Sequence, residues 1–126
     1  CRKITTAMTN APEMVSGLGQ FDTELMKVGR GKIIAKGGAE GYQSIGLLPG
    51  AFGSDSPALG IVFKIADGDS VGRARPLVGI EILRQLGALD SEQILSLSPF
   101  GTRPILNWRK LSVGELKPVF QLHRHS

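Results

Sequence analysis

Residues that could carry out chemistry are concentrated in one short run, Lys36-Gly37-Gly38-Ala39-Glu40. A lysine that leaves a β-strand beside two glycines can place its ammonium group in a cleft, and the glycines let another molecule approach the backbone. The N–H that follows can point at a developing oxyanion. A solvated surface lysine before a glycine turn has the same pattern, so the run alone does not decide between a catalytic and a surface lysine.

The common catalytic signatures are absent from the 126 residues. No serine is followed three positions later by lysine, the S-x-x-K spacing that lets a lysine on the same helical turn activate a hydroxyl. The sequence also lacks G-x-S-x-G, H-E-x-x-H, a P-loop, and a G-x-G-x-x-G placed between a strand and a helix. A serine nucleophile of the S-x-x-K class is therefore not supplied by these residues.

Cys1 offers a second hypothesis from a different mechanistic class. The chain opens on cysteine where a translated chain would open on methionine, and an N-terminal nucleophile exposed by processing can use its own α-amine as the base. Such a nucleophile normally opens a buried strand, whereas Arg2 and Lys3 follow at once and precede a helical pattern. We therefore interpret Cys1 as the mark of a cut.

Metal and compartment signals are few. One cysteine in the whole chain excludes an internal disulfide and a Cys-rich zinc site, which favours a reducing, cytoplasmic location. His123 and His125 lie in a C-terminal tail that is expected to fray. We therefore predict no metal site and no cofactor in this chain.

The charge pattern argues against nucleic acid and membrane partners. The net charge is +4, but the basic pairs do not merge into a stripe, and an aromatic content of 6% offers no base-stacking platform. Apolar runs are far shorter than the ~20 residues of a membrane-spanning helix. We expect a small-molecule substrate, and the sequence allows a homodimer.

Hydrophobic periodicity supplies the elements that would position Lys36. Two short helices are predicted at Ile4–Asn10 and Phe21–Val28, with Asp22 capping the second. The period then becomes extended and rich in β-branched residues. The predicted strands, most simply an antiparallel meander, are Lys32–Lys36, Tyr42–Leu48 and Leu59–Ile65.

A longer helix is predicted at about Arg73–Leu86, capped by Asp69 or Ser70 and stopped by Gly87. Apolar residues cover more than half of its circumference, so it needs cover on two sides. After it we predict a short helix or strand beginning near Ser91, and a last turn at 113–122. The fold class is α+β, an antiparallel sheet packed with helices, and residues 1–126 form a single domain or part of a larger one.

Several blocks resemble one protein family in order and spacing over about residues 4–90. These blocks are Pro12–Gly17, Gln20–Met26, Ala35–Gly41, Gly60–Asp69 and Arg73-Ala74. In them the chain is similar to the C-terminal part of the bacterial L-asparaginase II family, the thermolabile Rhizobium-type asparaginases.

The resemblance implies a fold like the C-terminal part of the serine β-lactamases and penicillin-binding proteins, where K-T-G stands in place of K-G-G, and hydrolysis of L-asparagine to L-aspartate and ammonia. It implies that Lys36 faces the nucleophilic serine and keeps it deprotonated or shuttles its proton. Gly37 and Gly38 would leave room for substrate, and the Ala39 N–H would donate to the oxyanion. Glu40 would hold the α-amino group of the substrate or pair with a nearby cation, and the sequence does not choose.

The resemblance also implies that part of the site lies elsewhere. The S-x-x-K serine, and the cysteines that hold zinc in some members, would lie upstream of this region, so the isolated chain is expected to be inactive. The remaining alternative is a non-catalytic truncated module. An exposed sheet edge would distinguish a fragment from a self-sufficient module, because a self-sufficient module would cover it.

Overall fold

The structure is a computed structural model that describes residues 2–125, so the hypothesis about Cys1 lies outside the described residues. Within them, the helices are α1 (Arg2–Asn10), α2 (Glu13–Ser16), α3 (Phe21–Val28), α4 (Arg75–Leu86) and α5 (Ser91–Ser96). The strands are β1 (Ile33–Gly37), β2 (Tyr42–Leu47), β3 (Leu59–Lys64), β4 (Arg103–Leu106) and β5 (Ser112–Leu116). In this region no helix combines the length and the hydropathy needed to cross a membrane.

The first three strands form the predicted antiparallel meander. Their order in the sheet is β1-β2-β3, and Lys36 lies opposite Ser44, which in turn lies opposite Val62. Most ends of these strands lie one residue away from the predicted position, and the others coincide with it. The α+β prediction, with a three-stranded antiparallel sheet packed against helices, is confirmed.

The core lies between one face of this sheet and the helices α3 and α4. Because side chains alternate across a strand, Ile33 and Ala35 of β1 point to the same face as Ile45 and Leu47 of β2, and all four are buried. Helix α3 covers β1 and α4 covers β2. The helical residues of the core are Phe21, Leu25, Met26, Ile80 and Leu83.

Helix α4 is held at its N-terminus by a buried carboxylate. Asp69 accepts backbone hydrogen bonds from Arg73, Ala74 and Arg75, at 2.7–3.1 Å. The N-cap residue is Ala74, and neither Asp69 nor Ser70 occupies that position, but the Asp69 carboxylate binds the backbone where the helix begins. The helix begins at Arg75, two residues later than predicted, and ends at Leu86; the next residue, Gly87, adopts the left-handed conformation that favours glycine.

Two predictions of local structure were wrong. Asp22 does not cap α3, because it lies inside the first helical turn and its carboxylate bonds to other elements. The segment 113–122 is not a helical turn: β5 pairs with β4 as a second, two-stranded sheet. Nearly every residue of that hairpin is exposed, so it has no buried face to enforce a helical period.

Candidate active site around Lys36

Lys36 lies near the end of β1 with its side chain on the face opposite the core. Ala35 before it is buried, and Lys36 itself is exposed, as the alternation of a strand requires. Its Nζ donates a hydrogen bond of 2.8 Å to the carbonyl of Gly37. None of the ion pairs between residues 2 and 125 includes Lys36. The Lys36 ammonium is therefore not committed to a described carboxylate.

A shallow groove of about 270 Å³ runs over this face of the sheet. Met8 of α1 borders it, together with residues of all three strands, among them Lys36, Ser44 and Val62. Among the described residues that line the groove, Lys36 is the only charged one. The described lining of the groove thus presents a single cation beside otherwise uncharged residues.

The turn after Lys36 leaves backbone donors unused, and the Ala39 N–H is one of them. The Gly38 N–H donates to the carbonyl of Tyr42 at 2.9 Å, and the Tyr42 N–H donates to the carbonyl of Ala39 at 3.3 Å. No described residue accepts a hydrogen bond from the Ala39 N–H. This N–H is the kind of donor that an oxyanion can use.

Gly41 fixes the same turn against the loop that precedes α4. Its φ of 72° favours glycine, and a Cβ built there would lie 2.9 Å from the Cβ of Ile65. The Ile65 N–H also donates to the Gly41 carbonyl at 3.0 Å. In that loop Asp67 accepts bonds from the Asp69 N–H and from Arg73, and these two bonds lower the pKa of the Asp67 carboxyl below its ordinary value.

Glu40 pairs with a cation in this structure. Its Oε2 lies 2.9 Å from the Nζ of Lys64, the last residue of β3, and both side chains are exposed. Glu40 has a positive φ of 57°, and its side chain joins the turn after β1 to the end of β3. An exposed pair of this kind contributes little free energy, so the carboxylate is not locked to Lys64.

Asp22 is a site residue whose role sequence reasoning missed. It is only 4% exposed, and its Oδ2 accepts from the Gly37 N–H at 2.6 Å and from the Ser16 Oγ at 3.1 Å. Its Oδ1 accepts from the Nε2 of Gln43 at 2.9 Å. The carboxylate therefore joins α3 to the strand residue that follows Lys36.

Arg75 completes this cluster from the first turn of α4. Its Nη1 donates to the Oε1 of Gln43 at 2.5 Å and lies 3.8 Å from the Oδ1 of Asp22. A Cβ built on Gly37 would clash with the Arg75 Nη1. On the core face, the space that Gly37 leaves open is therefore filled by a guanidinium group. One signal in the sequence points to this cluster: β alternation puts the polar Gln43 on the buried face, opposite Gly37.

The described residues offer no ligand set for a metal ion. Between residues 2 and 125, no three side chains of the types His, Cys, Asp and Glu come together in a group that could hold one. The zinc ligands that the family resemblance implies would lie outside this region.

Comparison with known proteins finds one family. A search of curated proteins gives no significant match. The family model described as L-asparaginase II matches residues 1–118, which include every strand and helix described above. The chain therefore belongs to the L-asparaginase II family.

Proposed function

We propose that this chain carries the lysine half of an L-asparaginase active site, which hydrolyses L-asparagine to L-aspartate and ammonia. Membership of the family supports an asparaginase-type hydrolase of amides. The observation that carries the assignment to Lys36 is its position at the end of β1. Its ammonium is free of described carboxylates, and the unused N–H of Ala39 lies in the turn that follows.

In this proposal the nucleophile is a serine contributed by chain outside these 126 residues, which contain no S-x-x-K. As an ammonium, Lys36 stabilises the deprotonated serine oxygen; as a neutral amine, it takes the hydroxyl proton while the Oγ attacks the carboxamide carbon. The carbon–nitrogen bond then breaks, the proton leaves with ammonia, and water hydrolyses the resulting ester to L-aspartate. A positioned proton-transfer group of this kind contributes about 10²-fold or more to the rate.

The turn after Lys36 would bind the substrate. The Ala39 N–H donates to the oxyanion that forms during attack. Gly38 leaves room beside the backbone, and Glu40 binds the α-amino group of asparagine. Because Arg75 fills the core side of Gly37, substrate would approach Gly37 from the opposite, groove-lined face.

The single cysteine remains the reason to expect a cytoplasmic location.

The experiment is asparagine hydrolysis by the full-length protein with Lys36→Ala, and with Lys32→Ala as the matched control. Lys32 lies just before β1 and donates to the Pro49 carbonyl at 3.1 Å, so its loss removes a similar side chain at the opposite end of the strand. We expect kcat/KM to fall about 10²-fold or more for Lys36→Ala and to be unchanged for Lys32→Ala. Normal turnover by Lys36→Ala would overturn the role of Lys36. Turnover of asparagine by residues 1–126 alone would overturn the proposal that the nucleophilic serine lies outside these residues.

A further inference from the structure

We propose that Asp22, Gln43 and Arg75 form a positioning network that fixes the Lys36–Gly38 segment, so that the Lys36 ammonium is held in place for the reaction. This inference rests on the proposed function, because it assigns a role to residues that act through Lys36. Helices α3 and α4 contribute Asp22 and Arg75, and the middle strand contributes Gln43.

Strand β1 lies at the edge of the sheet, so its outer side pairs with no other described strand. Gly38 donates to Tyr42, and hydrogen-bonded pairs alternate along an antiparallel ladder. The N–H and C=O of Gly37 therefore point away from β2, toward the open edge. If neither the Gly37 N–H nor the Gly37 C=O had a partner, the end of the strand would be free to move.

Both of these outward groups are engaged in the structure. The Gly37 N–H donates to the Asp22 Oδ2 at 2.6 Å, and the Gly37 carbonyl accepts from the Lys36 Nζ at 2.8 Å. The same glycine thus binds the buried carboxylate through its N–H and the lysine ammonium through its carbonyl. A shift of Gly37 would move the acceptor to which the ammonium is bound.

Gln43 and Arg75 in turn hold the Asp22 carboxylate in place. Gln43 is fully buried, and its amide donates to Asp22 through Nε2 while accepting from Arg75 through Oε1. Its two ends fix the direction of the amide, since only one orientation places the donor on the carboxylate and the acceptor on the guanidinium. No buried side-chain polar atom in residues 2–125 is without a partner.

Arg75 confines Gly37 on its core face. The Arg75 guanidinium occupies the place of a Cβ on that residue, so it limits movement of the strand end toward the core, while Asp22 limits movement along the edge. The side chain of Arg75 is 22% exposed, which places this contact at the boundary of the core. Displacement of a catalytic group by about 1 Å can lower a rate by about 10²-fold.

The experiment compares four variants of the full-length protein, using asparagine turnover and hydrogen exchange. Asp22→Ala and Arg75→Ala disrupt the network. Glu24→Ala and Arg84→Ala are matched controls, since they remove ion-pairing residues from the same two helices, one partly exposed and one exposed. We expect kcat to fall by about 10²-fold in the first two with KM little changed, and neither value to change in the controls.

Hydrogen exchange provides a readout that does not depend on activity. We expect the Gly37 amide to exchange about tenfold faster or more in Asp22→Ala, the effect of losing one hydrogen bond to a charged group, while the amide of Ile45 inside the sheet keeps its rate. Equal acceleration of both amides would show that Asp22 stabilises the whole fold, and would overturn the proposal. Should Asp22→Ala fail to fold, Asp22→Asn keeps the volume and replaces one acceptor with a donor.

The two readouts separate this inference from the proposed function. Unchanged kcat with fast exchange at Gly37 would overturn the positioning role. If the wild type and Lys36→Ala were equally inactive on asparagine, the proposed function would fail. The exchange data alone would then decide whether the network fixes Gly37.

Discussion

The carboxylate of Asp22 lies 2.6 Å from the backbone nitrogen of Gly37, although fifteen positions separate the two residues in the chain. The contact links the first turn of α3 to the strand end that carries Lys36. The side chain of a helical residue binds the strand backbone here, because the Gly37 N–H lies on the outer edge of β1, which pairs with no other described strand. The position of Lys36 is therefore coupled to the packing of α3 against the sheet.

The close approach of Arg75 to Gly37 predicts a strong coupling between these two positions. Gly37→Ala would place a methyl group in a clash with the present position of the Arg75 Nη1, so the guanidinium would have to leave Gln43. We expect a loss of about 1–3 kcal/mol in the free energy of unfolding, the usual cost of overpacking. In an Arg75→Ala background the same methyl group has room, and the loss should be much smaller.

A double-mutant cycle measured by urea unfolding tests this prediction. Gly60→Ala on β3 is the control, because no atom lies within 4 Å of a Cβ built there, and it should change stability by less than about 0.5 kcal/mol. Equal losses for Gly37→Ala in both backgrounds would show that Arg75 is not the obstacle.

The capping of α4 predicts a different response at two neighbouring positions. Asp69→Ala leaves three backbone N–H groups at the start of α4, those of residues 73–75, without their buried acceptor, and should cost about 2 kcal/mol of unfolding free energy. Ser70 is exposed, and Ser70→Ala should stay within about 0.5 kcal/mol. Thermal or urea unfolding of both variants checks this, and a larger loss at Ser70 would contradict it.

Strands β1 and β2 and helix α3 could be predicted from the sequence because their periods are set by a buried face. Ile33, Ala35, Ile45 and Leu47 alternate with outward residues, and that alternation locates β1 and β2 without any knowledge of the rest of the molecule. The C-terminal hairpin could not be found in this way. Its apolar residues, such as Val113, remain exposed, so neither face of β4 or β5 generates a regular pattern.

The site could be predicted only as far as local sequence determines it. The run from Lys36 to Glu40 is contiguous, so its position at a strand end followed from the strand itself. The roles of Asp22, Gln43 and Arg75 depend on which elements pack together. An Asp near a helix start is most simply interpreted as a cap, and only the tertiary structure shows that its acceptors serve Gly37.

Helix α4 carries an ion pair that predicts a pH-dependent contribution to stability. Hydrogen bonds from Arg84, and also from Gln85, lower the pKa of the Glu81 carboxyl from its ordinary value of 4.5. A lowered folded-state pKa stabilises the fold above the unfolded-state value, and this contribution is lost as the pH falls through the folded-state value. The advantage of wild type over Glu81→Gln should therefore be constant above about pH 5 and shrink in more acidic solution.

Urea unfolding of both proteins at a series of pH values measures this difference. It should be small and should decrease with added salt, because Arg84 is half exposed. In an Arg84→Ala background the pH dependence should be weaker. A difference that grows on acidification would have the wrong sign and would contradict the assignment.

The pairing of Glu40 with Lys64 leaves two roles for Glu40 that steady-state kinetics can separate. If Glu40 binds the α-amino group of asparagine, as proposed, Glu40→Gln removes a charge that substrate needs. KM should then rise by about tenfold, which corresponds to the loss of one charge-assisted hydrogen bond, with kcat little changed. Lys64→Ala removes only the exposed partner 2.9 Å away, so KM should stay the same or fall as the carboxylate loses its competing cation. Equal rises in KM for both variants, with no further rise in the double variant, would show that the pair shapes the turn and that Glu40 does not bind substrate.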